Sequence, residues 1–478
     1  GGHDHNGDEA RPLAGGHSLI PMMKLRLATP DHLVDLHGIG DLKGVARDGN
    51  RIVIRAMTTQ HELLASDVIA SSLPILHETA LLIADPQVRY RGTLGGNVAN
   101  GDPGNDMPAL MMTLGADYVL EGPDGARTVA LDCFGDADTR RLAVQWHEVG
   151  AASALRIDGD RLLASLSALA QGGETTGWIA GSGFDGRADL LERGAALLPL
   201  LGTAPLDVRR VRDPQEFFSV LHSHGIGFPA VSLDPPPTPS GWLLKDAGGC
   251  GGWQVRRATA GSAAGPGQYW QRERRGVPMS ATFVANGRDA VLLGFNAQTV
   301  RRSGERPYLF CGVVGPVPVS DAVQREVTAI TRLLAAVFRL CGLGSLDFLL
   351  DGDTVEVLEL NPRPPASMAL YPRVGEGGPV RAHLRACRHG ELPPAPAPTD
   401  VVRGTEIVFA PQPLLIDAER AAQIAQHDGA RDLPCAGSRI AAGDPLCSLV
   451  AEGRGVHEVT TRLASRRDAL LASLETTT

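Results

Sequence analysis

The sequence predicts an α/β protein built of two units in tandem: an α+β unit to about residue 128, then a longer unit alternating strands and helices. Three observations carry this. The chain changes character near residue 128, from short mixed elements to a regular strand–helix alternation. Each side of that point has its own glycine pairs, Gly15-Gly16 and Gly95-Gly96 before it, Gly248-Gly249 and Gly251-Gly252 after it. Such pairs let backbone N–H groups approach an anion closely. Two proline runs, Asp234–Pro239 and Pro393–Pro398, exclude strand or helix interior and read as linkers. The expected domains are 1–128, 129–233, 234–392 and 401–478.

Composition is compatible with this. A chain of 478 residues has room for two to four cores, and 43% apolar content is ordinary for a soluble globular protein. A net charge of -9 argues against a nucleic-acid partner. No apolar run reaches the roughly 18 residues needed to span a membrane. The opening Gly1-Gly2-His3-Asp4-His5 has no initiator Met and no secretory pattern, so it reads as the start of a fragment with a polar tail. The seven cysteines form no CxxC pair and read as reduced thiols of a cytoplasmic protein. Of 45 basic residues only Lys24, Lys43 and Lys245 are lysine, which singles out the lysine placed just before a glycine-rich loop.

Taken in order, Ile52–Ala56 reads as a strand, His61–Ala65 as a short helix, and 74–84 and 107–114 as apolar helices. Beyond the switch, Val129–Asp132 is an expected strand, Thr139–Val149 and Asp160–Ala170 are helices, Gly177–Ala180 a strand and Arg187–Leu198 a helix. Asp213-Pro214-Gln215 starts another helix with an acidic cap and proline in the first turn. Residues 241–310 are strand-rich, 321–341 a long amphipathic helix, and 401–478 closes with a helix bearing Arg and Leu.

In the first unit, Gly15-Gly16 and the expected turn at Gly95-Gly96-Asn97 offer N–H groups to a pyrophosphate, and Asn105-Asp106 offers acceptors for ribose hydroxyls. Either glycine pair alone is an ordinary structural turn. Together, with Arg11–Pro21, Ile83–Arg89 and Thr93–Leu110, they closely resemble the flavin-binding medium subunit of carbon monoxide dehydrogenases and related xanthine oxidase-type molybdenum hydroxylases. The resemblance implies a PCMH-type FAD-binding fold. It implies that Ala14, Gly15, Gly16, His17, Ser18, Leu19, Thr93, Gly95, Gly96 and Asn97 cradle the FAD diphosphate, with Asn105 and Asp106 at the ribose. It also implies iron–sulfur and molybdenum partner subunits. Against that family the chain lacks the strand and helix before the first loop and everything after about residue 130.

In the second unit, Trp242–Lys245 reads as a strand entering Gly248–Gly252, without the GK[ST] ending or following helix of a P-loop. Val355–Asn361 reads as a strand that puts Glu359 and Asn361 on one face, roughly 7 Å apart. Asp347 lies on the preceding strand, across a turn near Asp351-Gly352-Asp353. A regular two-residue loop would put Asp347 on the wrong face, so a shared carboxylate face requires an odd loop or a bulge. Hard oxygen ligands there suit Mg²⁺. Arg363 suits a phosphate or a substrate carboxylate. The alternative is a solvated surface hairpin. Gly181–Gly186 is a GxGxxG, but no acidic residue follows at the Rossmann distance, so it reads as a substrate- or nucleotide-facing loop.

Over about residues 128–450 this arrangement resembles the ATP-grasp superfamily, and within it proteins of methylotrophic bacteria linked to pterin-type cofactors. The resemblance implies that Lys245, Gly248, Gly249, Gly251, Gly252, Gln271 and Glu273 hold ATP, and that Asp347, Glu359 and Asn361 hold the metal. It implies Lys245 and Arg363 as catalytic groups, activation of a carboxylate substrate as an acyl phosphate, and transfer to an amine-type acceptor. The two resemblances meet at Arg127–Phe134, where each lacks expected strands, which marks the chain as a chimera. The other readings are a flavin-binding electron-transfer subunit and a non-functional fusion.

Overall fold

The computed structural model describes residues 10–26, 28–30, 32–48, 51–83, 85–100, 105–114, 116, 128–151, 156–375 and 377–475. It divides into two compact units, Gly1–Ala126 and Arg127–Thr478. The first unit holds a parallel strand pair, Ala10–Leu13 with His32–Asp35, and a hairpin of Val45–Asp48 with Arg51–Ile54. Short helices follow, and Leu63, Ile69, Leu76, Ala80, Leu94 and Met107 make their core. Thr59 and Glu62 form a reciprocal capping box that starts helix Gln60–Leu64. The strand expected at 52–56 ends at Ile54, and the helix expected at 74–84 ends at Leu82. Asp85 caps a further short helix, Pro86–Arg89, by accepting from Val88 N–H.

The second unit is organised by an antiparallel eight-stranded sheet. Its order is Thr354–Asn361, Cys341–Asp351, Val277–Asn286, Ala290–Ser303, Arg306–Gly315, Val402–Phe409, Pro445–Gly453 and Ala430–Arg431. A four-stranded sheet, Arg256–Arg257, Trp242–Asp246, Gln268–Arg272 and Val231–Ser232, stands apart from it. Helix Asp321–Val337, capped by Ser320, packs Val323, Val327, Ile330 and Leu334 against Phe283, Phe295, Phe348 and Val357. Segment 401–478 does more than supply a helix: three of its strands extend the large sheet, and Val456–Glu475 covers them through Val459, Leu463 and Leu470.

Two expected elements change type. The helix expected over 139–149 is a helix Ala137–Leu142 followed by a strand, Gln145–Glu148, parallel to Val129–Asp132. Trp146 Nε1 donates to Asp132 Oδ1 at 2.9 Å, a cross-strand contact that a continuous helix would lose. The strand expected at Gly177–Ala180 is a single bridge, Trp178 to Leu200. All five tryptophans (146, 178, 242, 253, 270) belong to the second unit, so their fluorescence reports on it alone. Phe348 is fully buried edge-to-face with Phe295. Phe348→Ala is expected to cost about 3–5 kcal/mol in the tryptophan-monitored urea transition.

Candidate functional site

Lys245 sits on strand Trp242–Asp246 with little solvent exposure, and its Nζ donates to Gln271 Oε1 at 3.1 Å from the neighbouring strand. Burial works against its charge, but the Tyr269 phenol, Glu359 and Asp347 outweigh that and hold its pKa above the ordinary lysine value. The chain then turns sharply. Asp246 accepts from Gly248 N–H through Oδ1 at 2.8 Å and from Gly249 N–H through its carbonyl at 3.0 Å. Gly252 has φ +76°, and a Cβ there would lie 1.8 Å from the Tyr308 carbonyl oxygen, so only glycine lets the flap lie against strand Arg306–Gly315. A cavity of about 730 Å³ opens beneath, within the size range of cofactor sites. It is lined by Lys245, Gly251, Gly252, Gln271, Glu273, Asp347, Glu359, Asn361 and Arg363, but not by Gly248 or Gly249. Glu273 is engaged by Arg257 at 2.7 Å and Tyr308 at 2.5 Å, and the Arg257 hydrogen bond holds its carboxyl below the usual range.

On the opposite wall the hairpin turns through two residues, with Asp351 paired to Thr354, and Phe348 pairs with Val357. The register then shifts, and Asp347 pairs with Glu359. Leu358 is the extra residue of a β-bulge, so the shared carboxylate face is reached by a bulge rather than by a longer loop. Among the described residues Asp347 Oδ1, out of reach of solvent, has no donor at hydrogen-bonding distance, although Gln298 acts on the carboxyl and lowers its pKa against the larger raising effects. Burial first, then the Glu359 carboxylate, pushes Asp347 up to about 7.

Asn361 Nδ2 donates to Asp347 Oδ2 at 3.3 Å and to Glu359 Oε1 at 3.4 Å. Its Oδ1 accepts from Arg212 Nη2 at 2.7 Å. Guanidinium only donates, so this contact fixes which end of the amide faces which way. Asn361 therefore presents its NH₂ group to the carboxylates, and its oxygen, the end that would bind a metal, faces Arg212. Arg363 Nε donates to both oxygens of Asp185 at 3.0 Å, and Arg212 Nη2 also bonds Asp185. Asp185 comes from the GxGxxG loop, and Arg212 ends helix Pro205–Arg212. Sequence reasoning singled out neither residue. The signal for Arg212 is its place four residues after Val208 and next to Val211, on the buried face of that helix.

Among the described residues no group of three or more His, Cys, Asp or Glu could hold a metal. Two carboxylates, one with an unmet buried acceptor, nevertheless fit a hard cation whose remaining ligands come from phosphate oxygens.

In the first unit the two glycine pairs are neighbours. A Cβ on Gly15 would lie 2.0 Å from the Arg91 carbonyl oxygen, and one on Gly96 would lie 3.2 Å from Ala14 Cβ. Gly95-Gly96-Asn97 is the start of helix Leu94–Asn100 rather than a turn. Its N–H groups are consumed: Gly95 donates to the Ala56 carbonyl at 2.8 Å and Gly96 to Thr93 Oγ1 at 3.1 Å. The N–H groups of Gly16, His17 and Ser18 have no acceptor among the described residues, which suits a phosphate. Asn105 Oδ1 accepts from Met107 N–H at 3.0 Å, and Asp106 is exposed in the first turn of helix Asp106–Thr113.

Residues 4–145 match the FAD binding domain in molybdopterin dehydrogenase, and residues 211–367 match the ATP-grasp domain. The carbon monoxide dehydrogenase medium chain of Afipia carboxidovorans is 70% identical over 124 residues, 26% of this chain and 43% of that one. The medium chain from Hydrogenophaga pseudoflava is 55% identical over 128 residues, 27% and 45% of the two chains. The chain thus spans less than half the length of these curated relatives. Rhizobium etli pyruvate carboxylase superposes at TM-score 0.55 with 16% identity, over 72% of this chain and 35% of that one. The N5-carboxyaminoimidazole ribonucleotide synthetase of Thermus thermophilus superposes at 0.52 with 16% identity, over 73% and 93%. At these identities the likeness concerns the fold. The chain joins an FAD-binding domain to an ATP-grasp domain, a fold that uses ATP and Mg²⁺. Among the described residues no helix is long and apolar enough to cross a membrane.

Asp347 has a raised folded pKa, so the stability it contributes is complete below its unfolded value of 3.8 and is lost as pH rises through about 7. Asp136, also raised to about 7 by burial and Asp432, adds a similar slope, so the difference between variants isolates Asp347. Asp347→Asn is expected to stabilise the ligand-free protein at pH 8 by up to about 4 kcal/mol and to change little at pH 4. Urea unfolding at the two pH values measures it.

Proposed function

We propose that the second unit is an Mg-ATP-dependent ligase that activates a carboxylate as an acyl phosphate and passes the acyl group to an amine-type acceptor. The reading is carried by one observation: Asp347 and Glu359, set opposite each other by the Leu358 bulge, face Lys245 and Arg363 across one cavity. Asp347 and Glu359 would hold the magnesium ion, which when bound neutralises phosphate charge. Lys245, kept protonated in its buried setting, holds a phosphate oxygen. The guanidinium of Arg363 that Asp185 leaves available orients the substrate carboxylate. A carboxylate oxygen attacks the γ-phosphorus and ADP leaves. The acceptor amine then attacks the acyl carbon, and phosphate leaves with the carbon–nitrogen bond formed. The Gly248–Gly252 segment, seated on strand Arg306–Gly315 at the cavity, would help exclude water, which would otherwise hydrolyse the mixed anhydride. The carboxylase and synthetase names among the fold neighbours support this reaction class.

A second activity, flavin binding by the first unit, is favoured by the N–H groups of Gly16, His17 and Ser18, which meet no acceptor among the described residues, and by the identity to carbon monoxide dehydrogenase medium chains. Electron exchange with iron–sulfur and molybdenum subunits would follow from it. Titrating FAD into the protein tests this reading. Flavin fluorescence is expected to be quenched, and unquenched flavin would remove the reading.

The ligase reading predicts that ATP carrying ¹⁸O in the β,γ-bridge scrambles label when a mixture of small carboxylic acids is present but the amine is withheld. Lys245→Ala and Glu359→Gln should each slow scrambling about 10²-fold or more. No scrambling, together with no effect of Mg-ATP on the melting temperature, would refute it.

A further inference from the structure

The GxGxxG loop lends Ser182 to the cavity wall and also delivers one of the most enclosed carboxylates in the second unit, to which the ligase chemistry gives no role. The Asp185 side chain is 2% exposed. Its two oxygens take Arg363 Nε, each at 3.0 Å, and Oδ1 also takes Arg212 Nη2. Arg212 is buried as well, at 9% side-chain exposure, and its Nη2 reaches on to Asn361 Oδ1 at 2.7 Å. Asn361 in turn donates to Asp347 and Glu359. A continuous line of directed contacts therefore runs from Asp185 through Arg212 to Asn361 and the two carboxylates, and a second arm runs from Asp185 to Arg363. The loop also abuts the flap, since a Cβ on Gly186 would lie 2.8 Å from Gly248 Cα.

Resting on the ligase reading, we infer that Asp185 is a positioning residue: it fixes Arg363 for the substrate and, through Arg212 and the Asn361 amide, sets the geometry of the Asp347–Glu359 cation site. Without its charge, the buried Arg212 and the half-buried Arg363 lose their shared counter-ion, and each is then drawn toward another carboxylate. For Arg212 that is Glu359, already among the groups that raise its pKa. The arginine would then compete with the metal for the same oxygens. No part of this requires Asp185 to touch nucleotide, metal or substrate.

Mn²⁺·ADP is the probe, with bound and free Mn²⁺ read by electron paramagnetic resonance on the full chain. Asp185→Ala is expected to weaken Mn²⁺·ADP binding about tenfold or more, the scale of an outer-shell partner. Added formate, which restores a carboxylate between the two arginines, is expected to recover most of the loss. Asp185→Asn fills the same space without charge, so it should show the loss without formate rescue, and it serves as the readout if the alanine variant does not fold. Wild-type affinity in both variants, or a loss that formate leaves unchanged in folded Asp185→Ala, overturns the inference. If the parent chain does not bind Mn²⁺·ADP, the ligase reading fails and this inference with it, a result distinct from failure in the variants alone.

Discussion

Val355, Val357, Glu359 and Asn361 have the same parity along one strand, and in a regular strand all four would face one way. They cannot. Val355, Val357 and, out of phase with them, Leu360 belong to the main core, while Glu359 and Asn361 line the cavity. The extra residue at Leu358 resolves the conflict, placing Leu358 and Glu359 together opposite Asp347. Without that break, either a carboxylate enters the core or two valines face the cavity. The cation face, the pairing of Asp347 with Glu359, and the part of the raised Asp347 pKa that Glu359 adds to the effect of burial all depend on this one irregularity.

The bulge also explains why the site was partly legible from sequence. A polar Glu-x-Asn following an apolar Val-x-Val at the same parity is itself the signature of a register break, and Asp347 could be referred to it by counting back through the Gly352 turn. Lys245 stood out because lysine is so rare in this chain. The arginine–aspartate arrangement was not legible, because Asp185 and Arg212 are distant in sequence and meet only in the folded chain. The GxGxxG loop drew attention for its glycines, whereas its aspartate is what reaches the site.

Elsewhere, tertiary pairing and capping override the local pattern. Over 139–149, Val144 to Glu148 reads equally well as the end of an amphipathic helix or as a short alternating strand, and pairing with Val129–Asp132 decides between them. At Gly95-Gly96-Asn97 the glycines suggest a turn, but they start a helix, with Gly96 N–H donating to Thr93 Oγ1 and Gly95 N–H to the Ala56 carbonyl. Of the two glycine loops, only Gly15–Ser18 keeps donors available, so within the described residues the first unit offers part of a phosphate cradle. The medium-chain relatives are matched over 26–27% of this chain, whereas the fold neighbours pyruvate carboxylase and N5-carboxyaminoimidazole ribonucleotide synthetase are matched over 72–73% of it.

Two carboxylates and a donor amide make an incomplete coordination shell, so a divalent ion should bind here only when phosphate oxygens complete it. Mn²⁺ binding to the unmodified chain, measured with and without ADP, tests that most directly. No tight Mn²⁺ site is expected without nucleotide, and one per chain with it. Tight Mn²⁺ binding in the absence of nucleotide, or none in its presence, would contradict that expectation.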